Sequence, residues 1–472
     1  MNNKEKIKTI NALFPRHAQW LLPLIVVTSY FLLALLADFR TAVTELLGIT
    51  AVILIMLYMI LYAGEQGAID WSPSLIILIA TIIRIPFLFR PPELSDDIYR
   101  YLWDGLQFLN GYNPYSSAPS SIDSQSAFLL ELRRRVNHPE LFTIYPPAAQ
   151  LIFIAGSALH KSVFGIKAVL IAMDLLICLM IIRILKNMQL PVWRSVLYAW
   201  NPLTVIETAA SGHIDTAGTM FLFFAFLLLM RNPAPDDPGK RSDFAFRTLL
   251  PPTAGLSFSL AVLVKLFPFI FLPGLALLAG KRGRLFFLSG FIAGIFILSV
   301  PFLPDLKNML NTLGIYIQHW EFSGLGFRML RKMVSSGNIA RYILAILFML
   351  IVVFSYTLLR QRLKSSSSIT ACNVIATLYS LTLCFLFLTP TLHPWYVLYL
   401  VCFLPFTVSA AGLALSWSIF FAYYVVIPYF FLGKWIENDY VPALIWIAPL
   451  SVYLLTNAAR IFASDLIRPR GK

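Results

Sequence analysis

Apolar runs recur along this chain near residues 20–37, 44–63, 73–89, 148–160, 163–185, 195–211, 213–230, 252–279, 285–303, 340–359, 369–389, 395–411, 413–432 and 441–459. No other feature limits the fold as strongly. A helix needs about 20 mostly apolar residues to cross the hydrocarbon core of a bilayer, and many of these runs approach or reach that length. Inside lipid every backbone N–H and C=O must be paired within the protein, so runs of this kind become helices. Only 13% of the 472 residues are charged, and the mean hydropathy is +0.75. These values exclude a soluble globular enzyme and predict an all-α polytopic membrane protein. A single membrane domain over 1–472 accounts for the chain, with 232–247 as a short Pro/Asp-rich linker and no internal repeat.

The net charge of +14 would suit nucleic acid, but the basic residues cluster beside apolar runs, as in Lys281, Arg282 and Arg284 or Arg360 and Arg362. That pattern fits cytoplasmic loops and anionic lipid, so membrane lipids are expected partners and nucleic acid is not. Cys178, Cys372, Cys384 and Cys402 lie in apolar runs without metal-type spacing and read as filler.

Lys4, Lys6, Lys8 and Arg16 precede the first run and place the N-terminus in the cytoplasm. No cleavable signal peptide is expected, and the first span acts as the membrane signal. Three crossings then put residues 90–147 outside. Counting back from Arg468, Arg470 and Lys472 puts 360–364 inside, His393 outside, 304–338 outside and 281–284 inside. Between these anchors parity stays open, because 163–230 is broken by proline and 252–279 is either one broken helix or a tight pair.

Residues 90–147 are too polar to cross a bilayer. Their first part reads as a short helix with Ser95 as N-cap and Asp96 and Asp97 in the first turn. Ile98, Leu102, Leu106 and Leu109 share one face, and Asp97, Arg100, Asp104 and Gln107 another. Such a helix is expected in the interface plane, apolar face toward lipid, with Asp97 at the water boundary. The plainer reading is that the acids start the helix and Arg100 pairs with Asp104.

Ionisable side chains inside apolar runs are costly and point to function unless a structural partner explains them. Arg84, Asp174, Glu207, His213, Asp215 and Lys265 are of this kind, and His393 sits in a turn expected on the same face as Asp97. Each has a structural alternative: Arg84 snorkels, Asp174 pairs with a neighbouring helix, and Glu207, His213 and Asp215 form a local network. Arg133, Arg134 and Arg135, with His319, Arg328, Arg331 and Lys332, put positive charge on the outer face. Something anionic there would explain it, since arginine suits phosphate oxygens; solvated loop charge is the alternative.

The motifs SDDIYRYLWDG, GYNPY, NHPELFTIYPPAAQ, AWNPLTVIE, GHIDTAG, VKLFPFIFLP and LHPWY follow one another over roughly residues 75–400. In order and spacing the chain resembles the type C (GT-C) integral membrane glycosyltransferases, in particular the bacterial polyprenol-phosphate-mannose-dependent mannosyltransferases. The resemblance implies a bundle of about 11–13 transmembrane helices with a large outer catalytic loop, here 90–147, carrying interfacial helices, and a second outer loop at 304–338. It implies a hexosyl, here mannosyl, transfer from a polyprenyl-phosphate sugar to a glycan or lipid acceptor, in a bacterial inner membrane with the site on the outer face. The general base falls on Asp97 or Asp96, which stand adjacent where the family commonly has Asp-X-Asp. Substrate contacts are expected from Arg100, Tyr101, Asp104, Arg134, Tyr145, His213, Asp215, Lys265 and His393.

The chemistry suits these residue types. A carboxylate can take the proton of an attacking hydroxyl, and cations stabilise the leaving lipid phosphate. No cofactor is expected, since two adjacent helical acids point about 100° apart and make a poor chelate for a divalent metal. A transporter or flippase of an anionic lipid-linked glycan is the competing class. It would use Asp174, Asp215 and Lys265 as a relay and should show paired broken helices in two related halves.

Overall fold

The computed structural model describes residues 18–122, 126–230, 242–365 and 371–467. The basic N-terminus, most of the 232–247 linker and Arg468, Arg470 and Lys472 lie outside these residues. Among the described residues the protein is all helical, with two isolated bridges from Phe322 and Ser323 to Thr391. Six helices are long and apolar enough to span a membrane: Val43–Glu65, Val163–Asn187, Gly280–Phe302, Gly337–Leu363, Ala371–Leu388 and Ala410–Leu432. Pro202–Ala210 and Asp215–Met230 form a further candidate broken by a 119° bend. Among the described residues six shorter apolar helices pack with them, and the protein is an integral membrane protein. Only 17% of the Gly337–Leu363 window is buried against 67% of Ala410–Leu432, so the first lies at the lipid-facing rim and the second inside.

Long-range contacts order the helix ends. Lys167, near the start of Val163–Asn187, donates to Phe87 O at 3.2 Å and to Arg90 O at 2.6 Å. The chain therefore re-enters the bundle where the third apolar segment left it. Everything from residue 91 to 162 begins and ends at one level, and the run at 148–160, which hydropathy reads as a span, does not cross. Its helix, Pro147–Leu159, packs beside Asp97–Leu109 instead.

The 252–279 ambiguity resolves by the same kind of argument. A Cβ on Gly255 would lie 2.0 Å from Phe287 O, and one on Gly294 would lie 2.0 Å from Ser259 Oγ. Residue numbers rise together along this contact, so Ser242–Val264 and Gly280–Ser299 run parallel. The segment between them must return, and Phe267–Leu278 is that returning arm, with Lys265 at the turn. Lys265 thus reaches the end of the bundle that carries residues 90–147. Arg194 and Glu65 pair at 2.8 Å at the opposite end.

Arg84 and Asp174 form a fully buried pair at 2.6 Å. Tyr198 Oη donates to Asp174 at 2.6 Å, and Arg84 Nη1 donates to Ala80 O and Ala199 O. Arg84 does not snorkel, and Asp174 has its structural partner.

Candidate active site

Helix Asp97–Leu109 starts with Asp96 at its N-cap position, and Ser95 Oγ accepts from Asp97 N at 3.3 Å. The cap is thus one residue later than the sequence suggests. Ile98, Leu102 and Leu106 do not face lipid. They are buried against Ala148, Ile152 and Phe153 of the neighbouring helix and Ile166 and Leu170 of the next. Glycine makes this approach possible: a Cβ on Gly105 would sit 2.4 Å from Phe153 O. The polar face is covered as well. Arg100 Nε donates to Asp104 Oδ1 at 2.9 Å and Arg100 Nη2 to Leu141 O at 3.0 Å. Gln150 Nε2 donates to Asp104 Oδ2 at 3.2 Å. Arg100 and Asp104 therefore fasten the loop to the helix, as the i, i+4 spacing allows.

Asp97 lies outside that lock. Asn137 Nδ2 donates to its Oδ1 at 2.9 Å. Burial first, and next the negative charge of Asp97, push up the phenols of Tyr101 and Tyr145, whose rings meet edge to face at 4.9 Å. The Asp97 charge also reaches Tyr316, Tyr396 and Asp215. The Asp96 charge acts instead on Arg40 and Tyr429. Burial and then the Asp97 carboxylate push the Asp96 acid up, while Arg40 pulls against them. The two adjacent acids thus serve different surroundings.

A second polar centre forms around Asp215 and Lys265, within electrostatic reach of Asp97. Lys265 Nζ donates to both carboxylate oxygens of Asp215 at 2.8 and 2.9 Å and lies 4.3 Å above the Tyr396 ring. Tyr396 and Tyr316 share a hydroxyl hydrogen bond of 2.7 Å. Beside them runs a ring stack. His213 lies on Trp395 at 3.8 Å, Trp395 on His393 at 4.3 Å, and His393 on Phe322 at 4.8 Å. Leu392 N donates to Phe322 O at 2.7 Å, zipping the 304–338 loop onto the His393 turn. Burial first, and then Lys265, push His393 down to about 3, which keeps it neutral.

Glu207 accepts from Tyr423 Oη at 2.8 and 2.9 Å and lies 3.4 Å from His213. Asp215 belongs to Lys265 instead, so the expected three-residue network is two. Among the described residues, the buried His213 Nδ1 and Nε2, Ser211 Oγ and Tyr399 Oη have no hydrogen-bond partner, the kind of polar set a hydroxyl-rich ligand or water satisfies.

The expected residues therefore divide. Asp97, Tyr101, Tyr145, His213, Asp215, Lys265 and His393 converge. Arg100 and Asp104 lie next to them but are committed to each other. Arg134, with its side chain 80% exposed, stands on the outer surface near Glu131 and is not brought to the cluster. Asn137, Tyr316 and Trp395 join it without having been singled out. Trp395 stood in the LHPWY motif and Asn137 opened NHPELFTIYPPAAQ, but neither motif showed what its residue would touch. Among the described residues no three His, Cys, Asp or Glu side chains converge in a way that could hold a metal ion.

Residues 17–281 match the sequence profile of the MptA_B family, alpha-(1->6)-mannopyranosyltransferase, N-terminal domain. The chain belongs to this family. It is a GT-C-type membrane mannosyltransferase, acting between a sugar donor and a glycan acceptor. The matched stretch contains Asp97, Asn137, Asp215 and Lys265 and ends before His393. No curated protein and no solved structure gives a match.

Proposed function

We propose that this mannosyltransferase takes its mannosyl residue from a polyprenyl-phosphate mannose and passes it to a hydroxyl of a glycan or lipid acceptor, with Asp97 as general base. The acceptor O–H gives its proton to the Asp97 carboxylate as the oxygen attacks the anomeric carbon. The bond from that carbon to the phosphate oxygen breaks, and polyprenyl phosphate leaves with the electron pair. A single displacement of this kind inverts the anomeric centre. Lys265 stabilises the departing phosphate, since a lysine has three donors and Asp215 takes two hydrogen bonds from it. In this reading Tyr101 and Tyr145 flank Asp97, and His213 and His393 lie on the Lys265 side of the site. Arg100 and Asp104 hold the loop, and Arg134 makes no donor contact. The reaction needs no metal, because the lysine meets the phosphate charge and the charges of the two adjacent acids act on different partners. The site lies on the outer face of a bacterial inner membrane.

The reading is supported by the Lys265–Asp215 ion pair at 2.8 Å, with Asp97, from a distant part of the chain, close enough for its charge to act on Asp215. A base and a phosphate-binding cation are what transfer from a lipid phosphate requires. The test is reconstitution in lipid nanodiscs with radiolabelled polyprenyl-phosphate mannose and, separately, with a labelled nucleotide sugar. A labelled glycosidic product is expected from the lipid donor alone, and transfer from the nucleotide sugar would overturn the donor assignment. Cysteines introduced at residues 120 and 320 should react with an impermeant reagent in intact cells; reaction only after permeabilisation would reverse the orientation.

A further inference from the structure

Asn137 lies in the connection between helices Ala127–Arg135 and Pro147–Leu159. Its amide donates to Asp97 Oδ1, and among the described residues Asp97 Oδ2 accepts no hydrogen bond. The carboxylate is thus gripped on one oxygen and free on the other.

The backbone that presents this amide is strained. His138 has φ +49° and precedes Pro139. A residue before proline favours extended backbone, and a non-glycine residue at positive φ is uncommon. Such a conformation persists where its surroundings over-determine it. Leu141 N donates to His138 O at 3.1 Å, and Ser120 N donates to Pro139 O at 2.8 Å. The His138 ring packs edge-on against Trp320 at 5.0 Å. Arg100 ties down Leu141 O, and Val136 is buried among the residues beneath Asp97. A loop held this firmly around one strained residue fixes the direction of the side chain before it.

We propose that Asn137 is a positioning residue for mannosyl transfer, holding Asp97 by Oδ1 so that Oδ2 faces the acceptor hydroxyl. The inference rests on Asp97 being the base. Its consequence is electrostatic as well as geometric: an N–H donated to a carboxylate favours the charged form, so removing it favours the protonated one. The base works only when deprotonated, so the acidic limb of the kcat profile should move to higher pH. The titratable groups within reach of the Asp97 charge include Asp96, Tyr101, Tyr145, Asp215, Tyr316, Tyr396 and Tyr423. None of them loses a hydrogen bond when the Asn137 amide is removed.

The experiment compares Asn137→Ala, Asn137→Ser, Asn137→Asp and Asp97→Asn in the full chain in nanodiscs, using radiolabelled polyprenyl-phosphate mannose across pH. Asn137→Ala should lower kcat by roughly 10–100-fold, the range for one hydrogen bond to a charged group, with KM for the donor within a few-fold. Its acidic limb should shift upward, and that of Asn137→Asp further, because a second carboxylate faces the first. Asn137→Ser, smaller and still a donor, should fall between wild type and alanine and supplies the reading if alanine fails to fold. A lowered kcat with an unmoved limb would make Asn137 merely structural. Wild-type kcat and limb beside an inactive Asp97→Asn would overturn the inference and leave the base assignment standing. Normal turnover by Asp97→Asn would overturn both.

Discussion

Gly105→Ala probes how firmly Asp97 is placed. The added methyl would sit 2.4 Å from Phe153 O and 2.4 Å from Ser157 Oγ, whereas ordinary contact begins at 3.4 Å. The two helices must therefore part by about 1 Å. Ser157 can turn its hydroxyl away, but the Phe153 carbonyl belongs to a helical backbone and cannot. Asp97 lies two turns away on the same helix, about 12 Å along its axis, so a rigid shift carries the carboxylate with it. Overpacking of this kind costs about 1–3 kcal/mol, and a misplacement of about 1 Å at a reacting group can cost 10²-fold in rate. We expect a lower melting temperature in detergent and a kcat lowered by about one to two orders of magnitude, with little change in donor KM. Ser157→Gly added to Gly105→Ala should recover little, because the carbonyl contact remains. Wild-type turnover and melting in Gly105→Ala would show that this interface has slack, and the argument that it places Asp97 would fail.

Lys265→Met leaves Asp215, whose side chain is 1% exposed, without its cation. Breaking a buried pair from one side costs about 3–5 kcal/mol, and the quarter exposure of Lys265 puts this case near the lower end. Adding Asp215→Asn should restore melting but not turnover; recovery of turnover in the double variant would reduce Lys265 to a neutraliser of Asp215. His393 gives a pH dependence. Its folded pKa of about 3 lies below the ordinary 6.5, so the folded state resists its protonation. Stability should be full above pH 6.5 and decline as pH falls from there toward 3. His393→Gln should flatten that decline in melting scans at pH 7.5 and 5, and an unchanged slope would assign it to other groups.

Much of the architecture was legible because lipid demands long apolar helices. The Asp97 helix, whose start is legible to within one residue, and its Arg100–Asp104 spacing were local signals, and both appear in the structure. What escaped was tertiary. An apolar face looks the same to hydropathy whether lipid or protein covers it, so Ile98, Leu102 and Leu106 and the run at 148–160 read as membrane-facing. The small residues Gly105, Gly156 and Gly165 that bring these helices together carry no sign of their partners. Arg134 was drawn into the expected site by charge alone, and charge does not say which way a helix turns. The Asn137 contact with Asp97 bridges 40 residues of loop and helix, beyond the reach of any periodicity.

Whether Asp97 is the base is decided by setting Asp97→Asn beside Asp96→Asn in the lipid-donor assay, with donor binding measured separately. Asp97→Asn removes the carboxylate while keeping its shape. Turnover should fall roughly 10²–10⁴-fold, the usual share of general-base catalysis, with donor binding within a few-fold. Asp96→Asn should lose far less, since the charge of that acid acts on Arg40 and Tyr429. Normal turnover in Asp97→Asn would contradict the account, and an inactive Asp96→Asn beside it would move the base by one residue.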